Sequence, residues 1–228
     1  MTNGVDELDA LRRRVLNVVG HALRTPVTTL CGMADELART EDPVARSVLA
    51  EAVRRNGAIV EALLDDLLVA AGVSTVLPVA APTAVGIVPA ARQAWSTLGM
   101  PDELDISGPY DAVALAPHAC VVTPLQRMLD NAVRYGRGPV RVEVRNDDSS
   151  VVVEVVSHGG VPTDEELRHA LEPFYRGEHA VMAAPGLGVG LAVAVALATH
   201  AGGQVTLAAE GGDVVATLRL PAPPPTAS

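Results

Sequence analysis

Apolar or small positions at Leu11, Val15, Val18, Ala22, Thr29, Met33 and Leu37 recur mostly at three- and four-residue steps. That rhythm predicts a helix buried along one seam. It breaks at Arg39-Thr40-Glu41-Asp42-Pro43, where Asp42 can cap a second helix and Pro43 can occupy its first position. The second seam runs through Leu49, Val53, Val60, Leu63, Leu64, Leu67 and Leu68. Two helices cannot cover both sides of such seams. The pattern therefore predicts self-association into a four-helix bundle, with packing on the rest of the chain as the alternative.

From Gly72 to Pro82 the chain turns to Gly, Ser, Pro and Ala and reads as a hinge. Beyond it, residues 88–98 and 124–135 predict helices. Val140–Val144 and Val151–Val156 alternate as strands around the turn residues Asn146-Asp147-Asp148-Ser149. Thr163 opens a short helix over 164–171, and a longer one covers 189–200. Strands at 204–207 and 214–220 form a hairpin around Gly211-Gly212. Pro221–Ser228 reads as a disordered Pro- and Ala-rich tail. The predicted fold is an all-α helical hairpin, paired as a dimeric four-helix bundle, followed by an α+β two-layer sandwich. The expected domains are 1–75 and 76–222, with a tail at 223–228.

Composition narrows this picture. Aromatics are only 2% of residues, so the core must be Val, Leu and Ala. The net charge is −10 and both halves are acidic, which argues against a nucleic-acid partner. Every basic residue is arginine, and without lysine there is no P-loop. Cys31 and Cys120 read as buried free thiols in a reducing compartment. The longest apolar stretch, Met182 to Gly203, is broken by Pro185 and five glycines, so no membrane span is predicted. A signal peptide is not predicted either, and the expectation is a soluble, cytoplasmic protein. The histidines and cysteines show no metal-ligand spacing.

On the first predicted helix Arg14, Asn17, His21, Thr25 and Thr28 form a polar stripe on average about 120° from the apolar seam. His21 is thereby predicted to face solvent, one turn before Pro26, which should bend the helix. His21-Ala22-Leu23-Arg24-Thr25-Pro26 resembles the phospho-acceptor box of sensor histidine kinases, usually H-E-L-R-T-P. Met128-Leu129-Asp130-Asn131-Ala132-Val133-Arg134-Tyr135 looks like the family's asparagine box. Ser157-His158-Gly159-Gly160-Val161-Pro162 looks like a first glycine box one residue short. Leu171-Glu172-Pro173-Phe174-Tyr175-Arg176 is similar to its phenylalanine box, and Gly186-Leu187-Gly188-Val189-Gly190-Leu191 to its second glycine box.

The resemblance implies a homodimeric dimerisation and histidine-phosphotransfer hairpin followed by a GHKL-type ATPase domain. It also implies ATP and Mg²⁺ as cofactors, and the receiver domain of a response regulator as partner. Only about ten residues precede the first bundle helix, so input is expected through a partner such as a separate sensor protein. Asn131 offers a carbonyl to phosphate-bound Mg²⁺, and Arg134 and Tyr135 meet the phosphates and the sugar end. Gly159 and Gly160 belong to the base pocket. Gly186, Gly188 and Gly190, with Leu191 behind them, let backbone N–H groups approach the phosphates at a helix N-terminus. The segment between Arg176 and Gly186 is expected to serve as a lid over ATP.

Three positions depart from the family. The acid after the phospho-acceptor histidine is Ala22, a loss of general-base help worth roughly 10²–10⁴-fold in rate. The adenine-binding aspartate is Ser157, which keeps an acceptor without its charge, at a cost of about 1–3 kcal/mol. A second asparagine, one turn before Asn131, is Arg127. Three readings therefore stand. One is a kinase passing the ATP γ-phosphoryl group to His21 and on to a receiver aspartate. Another is a degenerate kinase acting as a phosphotransfer, phosphatase or scaffold module, with Thr25 orienting water for dephosphorylation. A nucleotide-binding regulator without phosphohistidine is a third.

Overall fold

Two long helices, α1 (Asn3–Arg39) and α2 (Pro43–Ala70), occupy the N-terminal part of the computed structural model. The structure describes residues 3–70, 80–100, 103–177 and 187–224, and for residues 3–18, 21, 22 and 70 the backbone alone. The chain divides into two compact units, Met1–Leu68 and Val69–Ser228.

In the first unit, the Asp42 carboxylate accepts from the N–H groups of Val44 and Ala45, both at 3.2 Å, and so caps α2 as its sequence predicts. Arg46 ties the turn by donating to the carbonyls of Leu37 at 3.1 Å and Thr40 at 3.0 Å. Asn56 donates to the Met33 sulfur at 3.7 Å, so α2 folds back along α1. The half-buried row on α1 is Val19, Leu23, Pro26, Thr29, Leu30, Met33 and Leu37, while Thr25 and Thr28 are exposed. Two expectations fail here. Leu64 is 50% exposed rather than in the seam. Cys31 is exposed rather than buried, because it falls between the half-buried positions of α1.

The second unit carries β1 (Thr83–Gly86), α3 (Ile87–Thr97), β2 (Asp105–Ser107), β3 (Val113–Ala116), α4 (Ala119–Tyr135), β4 (Arg141–Asp147), β5 (Ser150–His158), α5 (Asp164–His169), α6 (Gly190–His200), β6 (Gln204–Glu210) and β7 (Asp213–Pro221). Strands β1 and β3 form a small antiparallel pair. The main sheet has the order β2-β4-β5-β7-β6, antiparallel except where β2 joins β4 in parallel. Val151, Val153 and Val155 of β5 and Leu218 and Leu220 of β7 share one core with Leu125, Met128 and Leu129 of α4 and Val193 and Leu197 of α6. The helices thus cover one face of the sheet, giving the two-layer α+β sandwich.

The other face carries ion pairs, Arg145–Glu154 at 3.0 Å and Arg219–Asp147. The Arg219 guanidinium holds the Asp147 carboxyl below its ordinary value. Burial in the helical layer pushes the Cys120 thiol up.

Helix α4 begins at Ala119, five residues before its expected start at Pro124. Burial of Cys120 and Val121 repays the bond that Pro124 cannot donate. Strands β1, β2 and β3 are too short for periodicity to reveal. Pro221, expected in the tail, pairs with Ser150 of β5, and Ala222 N–H donates to the Ser149 carbonyl at 2.9 Å. Most of the expected hinge (residues 71–79) and the end of the tail (225–228) lie outside the described residues. Among the described residues, no helix is long and apolar enough to cross a membrane.

Candidate functional site

Helix α4 reaches both glycine boxes from one face. Arg127, Asn131 and Arg134 fall within about 60° of one another at 100° per residue. Arg127 and Asn131 are half-buried and Arg134 is exposed. Arg134 is held by Asp130, its Nε 2.8 Å from the carboxylate.

At the C-terminal end of α4 the first glycine box closes in. A side chain on Gly160 would fall on the Tyr135 carbonyl oxygen, and its φ of +64° favours glycine. A Cβ on Gly136 would come within 2.9 Å of the Ser157 Cβ, so helix end and strand end meet backbone to side chain. The Arg137 N–H donates to the His158 carbonyl at 2.6 Å, and Gly159 N–H donates to the Gly212 carbonyl at 3.0 Å. Ser157 is 7% exposed, while His158 lies at the surface against Asp213, ring Nδ1 to carboxylate at 2.6 Å.

The second glycine box approaches α4 two turns earlier. The nearest atom to a Cβ built on Gly190 is the Arg127 Cδ, at 3.8 Å. The two contact points on α4, Arg127 and Tyr135, are separated by about 12 Å of helix rise. Asn131 lies midway. Helix α6 starts at Gly190 after Val189, whose side chain makes no cap bond; the first N–H groups of a helix suit an anion.

The phenylalanine box clasps this turn. Phe174 N–H donates to the Gly188 carbonyl at 2.8 Å, and a side chain on Gly188 would meet the Tyr175 carbonyl oxygen at 2.5 Å. Phe174 itself holds a φ of +66°, a strained value for an aromatic residue. Its box is thus a backbone support for the glycine turn. Leu191 is half-buried against the core behind it. Upstream, Thr163 caps α5 in a reciprocal box with Glu166.

Gly186 and residues 178–185 of the expected lid lie outside the described residues. His21 lies within α1, which continues through Pro26; Thr25, one turn on from His21, is exposed.

Gly136, Arg137 and Gly212 are site-building residues that sequence reading did not single out. Gly136 follows Tyr135 directly, and a glycine just past a helix was the available signal. Gly212 was read only as part of a hairpin turn, and its carbonyl comes from the start of β7, the strand beside β5.

The arrangement fits a magnesium nucleotide. The glycines that exclude side chains, the uncapped start of α6 and the Asn131 amide supply backbone donors and one hard oxygen ligand along one helix face. Among the described residues no cluster of His, Cys, Asp and Glu offers a separate metal site.

Comparison with known proteins agrees. Residues 121–224 match the family model for histidine kinase-, DNA gyrase B-, and HSP90-like ATPases. The signal transduction histidine-protein kinase AfsQ2 of Streptomyces coelicolor is 29% identical over 93% of this chain and 42% of its own length. Sensor protein KdpD of Mycobacterium tuberculosis is 31% identical over 94% of this chain and 26% of its own. The chain therefore spans less than half the length of these curated relatives. Among solved structures, full-length ShkA in complex with AMPPNP shares the fold, with a TM-score of 0.65 at 21% identity over 94% of this chain and 47% of that one.

Proposed function

Since residues 121–224 belong to the histidine kinase-, DNA gyrase B-, and HSP90-like ATPase family and the chain is homologous to sensor histidine kinases along most of its length, we propose that it is a protein-histidine kinase of a two-component system. Residues 1–75 are the dimerisation and phosphotransfer hairpin, and residues 76–222 are the ATP-binding domain.

The observation that carries this reading is that α4 meets Gly160 at its C-terminal end and Gly190 two turns earlier, over the stretch whose one face holds Arg127, Asn131 and Arg134. ATP lies along that face, its base toward Ser157, Gly159 and Gly160 and its phosphates toward Gly186, Gly188 and the start of α6. Asn131 would hold Mg²⁺, which when bound neutralises phosphate charge. Arg134 and Tyr135 serve the phosphates and the sugar. An imidazole nitrogen of His21 takes the γ-phosphoryl group, and ADP leaves. A receiver-domain aspartate then accepts the phosphoryl group from His21. Positioning and electrostatics do most of the work in such transfers.

Dimerisation is supported by the exposed apolar side chains of α2. Val44, Val48 and Ile59 are 72%, 61% and 50% exposed. They fall within about 60° of one another around the helix. A second copy of the hairpin would cover them.

Incubation with γ-labelled ATP and Mg²⁺ tests the proposal. Acid-labile, alkali-stable label that vanishes in His21→Gln is the expected result. Its absence from folded, dimeric protein overturns the autokinase reading. A second reading is favoured by Arg127 beside Gly190 and by the uncharged Ser157. In it, His21 receives phosphate from an already phosphorylated receiver, or Thr25 orients water for dephosphorylation. Label appearing on His21 only from phosphorylated receiver would select it.

A further inference from the structure

Arg127 stands one turn before Asn131 on α4, and its side chain runs to the second glycine box. Its Cδ lies 3.8 Å from a Cβ built on Gly190, the first residue of α6. Arg176 of the phenylalanine box comes to the same turn, its Cγ 2.8 Å from a Cβ built on Gly188. Both arginines are half-buried, and the Nε of each is shielded from solvent. Two guanidinium side chains from separate segments thus meet the turn toward which the nucleotide phosphates are placed above. The one acid of α4, Asp130, is engaged by Arg134 at 2.8 Å.

This inference rests on the nucleotide-site reading and deepens it. A guanidinium has donors only, five of them in a planar fork, and it stays charged at any working pH. It binds phosphate oxygens directly, and with no acceptor atom it cannot ligate a metal ion. An amide or carboxylate at position 127 would instead offer Mg²⁺ an oxygen one turn from that of Asn131. Arg127 therefore removes one protein oxygen from the metal's reach and brings a fixed positive charge to the same place. We infer that Arg127 is a phosphate-binding residue that takes over part of the metal's charge, so that the site holds ATP with only a weak dependence on Mg²⁺.

Calorimetric titration of the full chain with ATP, once in excess Mg²⁺ and once in excess EDTA, tests this. Arg127→Asn is titrated alongside, with thermal melts to verify folding. The wild-type dissociation constant is expected to rise by less than about tenfold when Mg²⁺ is removed. Arg127→Asn should weaken ATP at least about tenfold more in EDTA than in Mg²⁺, the scale of a lost charge-assisted hydrogen bond. A larger wild-type dependence on Mg²⁺ overturns the inference while leaving the nucleotide site intact. So does a folded Arg127→Asn that changes ATP affinity by similar factors in the two conditions, as a purely structural arginine would. Failure of the wild-type protein to bind ATP at millimolar concentration in either condition overturns the inference and the nucleotide-site reading together. Should Arg127→Asn not fold, Arg127→Gln, which keeps more of the stem, is read in its place by the same criterion.

Discussion

In the helical hairpin Val44 and Val48 are 72% and 61% exposed, whereas in the α+β unit Leu125, Met128, Leu129 and Val153 have no exposure at all. Among the described residues of the hairpin, only Ala52, Asp66 and Val69 are buried. The α+β unit closes its own core by stacking helices on a sheet. The hairpin has one helix pair and no second layer, so its apolar residues remain partly wet. The difference teaches that the α+β unit closes its own core, whereas the hairpin would be closed by the second copy proposed above. Apolar residues contribute to stability only where something covers them.

The largest expected effect falls in the closed core. Leu129→Ala should destabilise the α+β unit by about 2–5 kcal/mol in a thermal or denaturant melt, since a fully buried leucine leaves a cavity. Val48→Ala should move the same transition by less than about 0.5 kcal/mol. Equal losses from the two substitutions would break the comparison.

Gly160→Ala comes next. It places a Cβ on the Tyr135 carbonyl and keeps a left-handed backbone, at a cost of about 1–3 kcal/mol. Nucleotide affinity should fall with it, measured by calorimetric titration.

Val44→Glu and Val48→Glu should sharpen the contrast from the other side. Each should weaken hairpin association by about 1.5–3 kcal/mol per valine removed from the interface. Sedimentation would then show monomer where the parent sediments as dimer, with the melt of the α+β unit unchanged. A parent chain already monomeric at high concentration removes the dimer proposal.

Thr163→Ala should cost about 1 kcal/mol or less, read as faster hydrogen exchange in α5, because it deletes one cap from a short exposed helix.

The smallest effect concerns pH. Asp147 is held below its ordinary value by Arg219, so its folded-state contribution is present above the ordinary carboxylate range. It is lost as pH falls through the lowered value. Arg219→Ala should therefore lower stability slightly at neutral pH and leave it unchanged at the acid end, which flattens the acid limb. The pair is exposed, which keeps the effect small.

What the sequence by itself determined was local. The described seam positions of the hairpin helices other than Leu64, the Asp42 cap, the Thr163 start of α5, and the alternating strands β4 and β5 were legible. Each depends on residues within a turn or two of one another. Periodicity could not reveal β1, β2 and β3, which have three or four residues each. Nor could it show that α4 extends back through Cys120 beyond Pro124, where burial outweighs a missing backbone donor.

The assembly of the site was a tertiary decision. Tyr135 against Gly160, Arg137 on the His158 carbonyl, Gly159 on Gly212 and Phe174 on Gly188 join segments far apart in the chain. Ser157 is the sharpest case. Its identity was visible as a departure from the family. Only the fold could show it buried, because burial depends on which remote residues enclose a side chain.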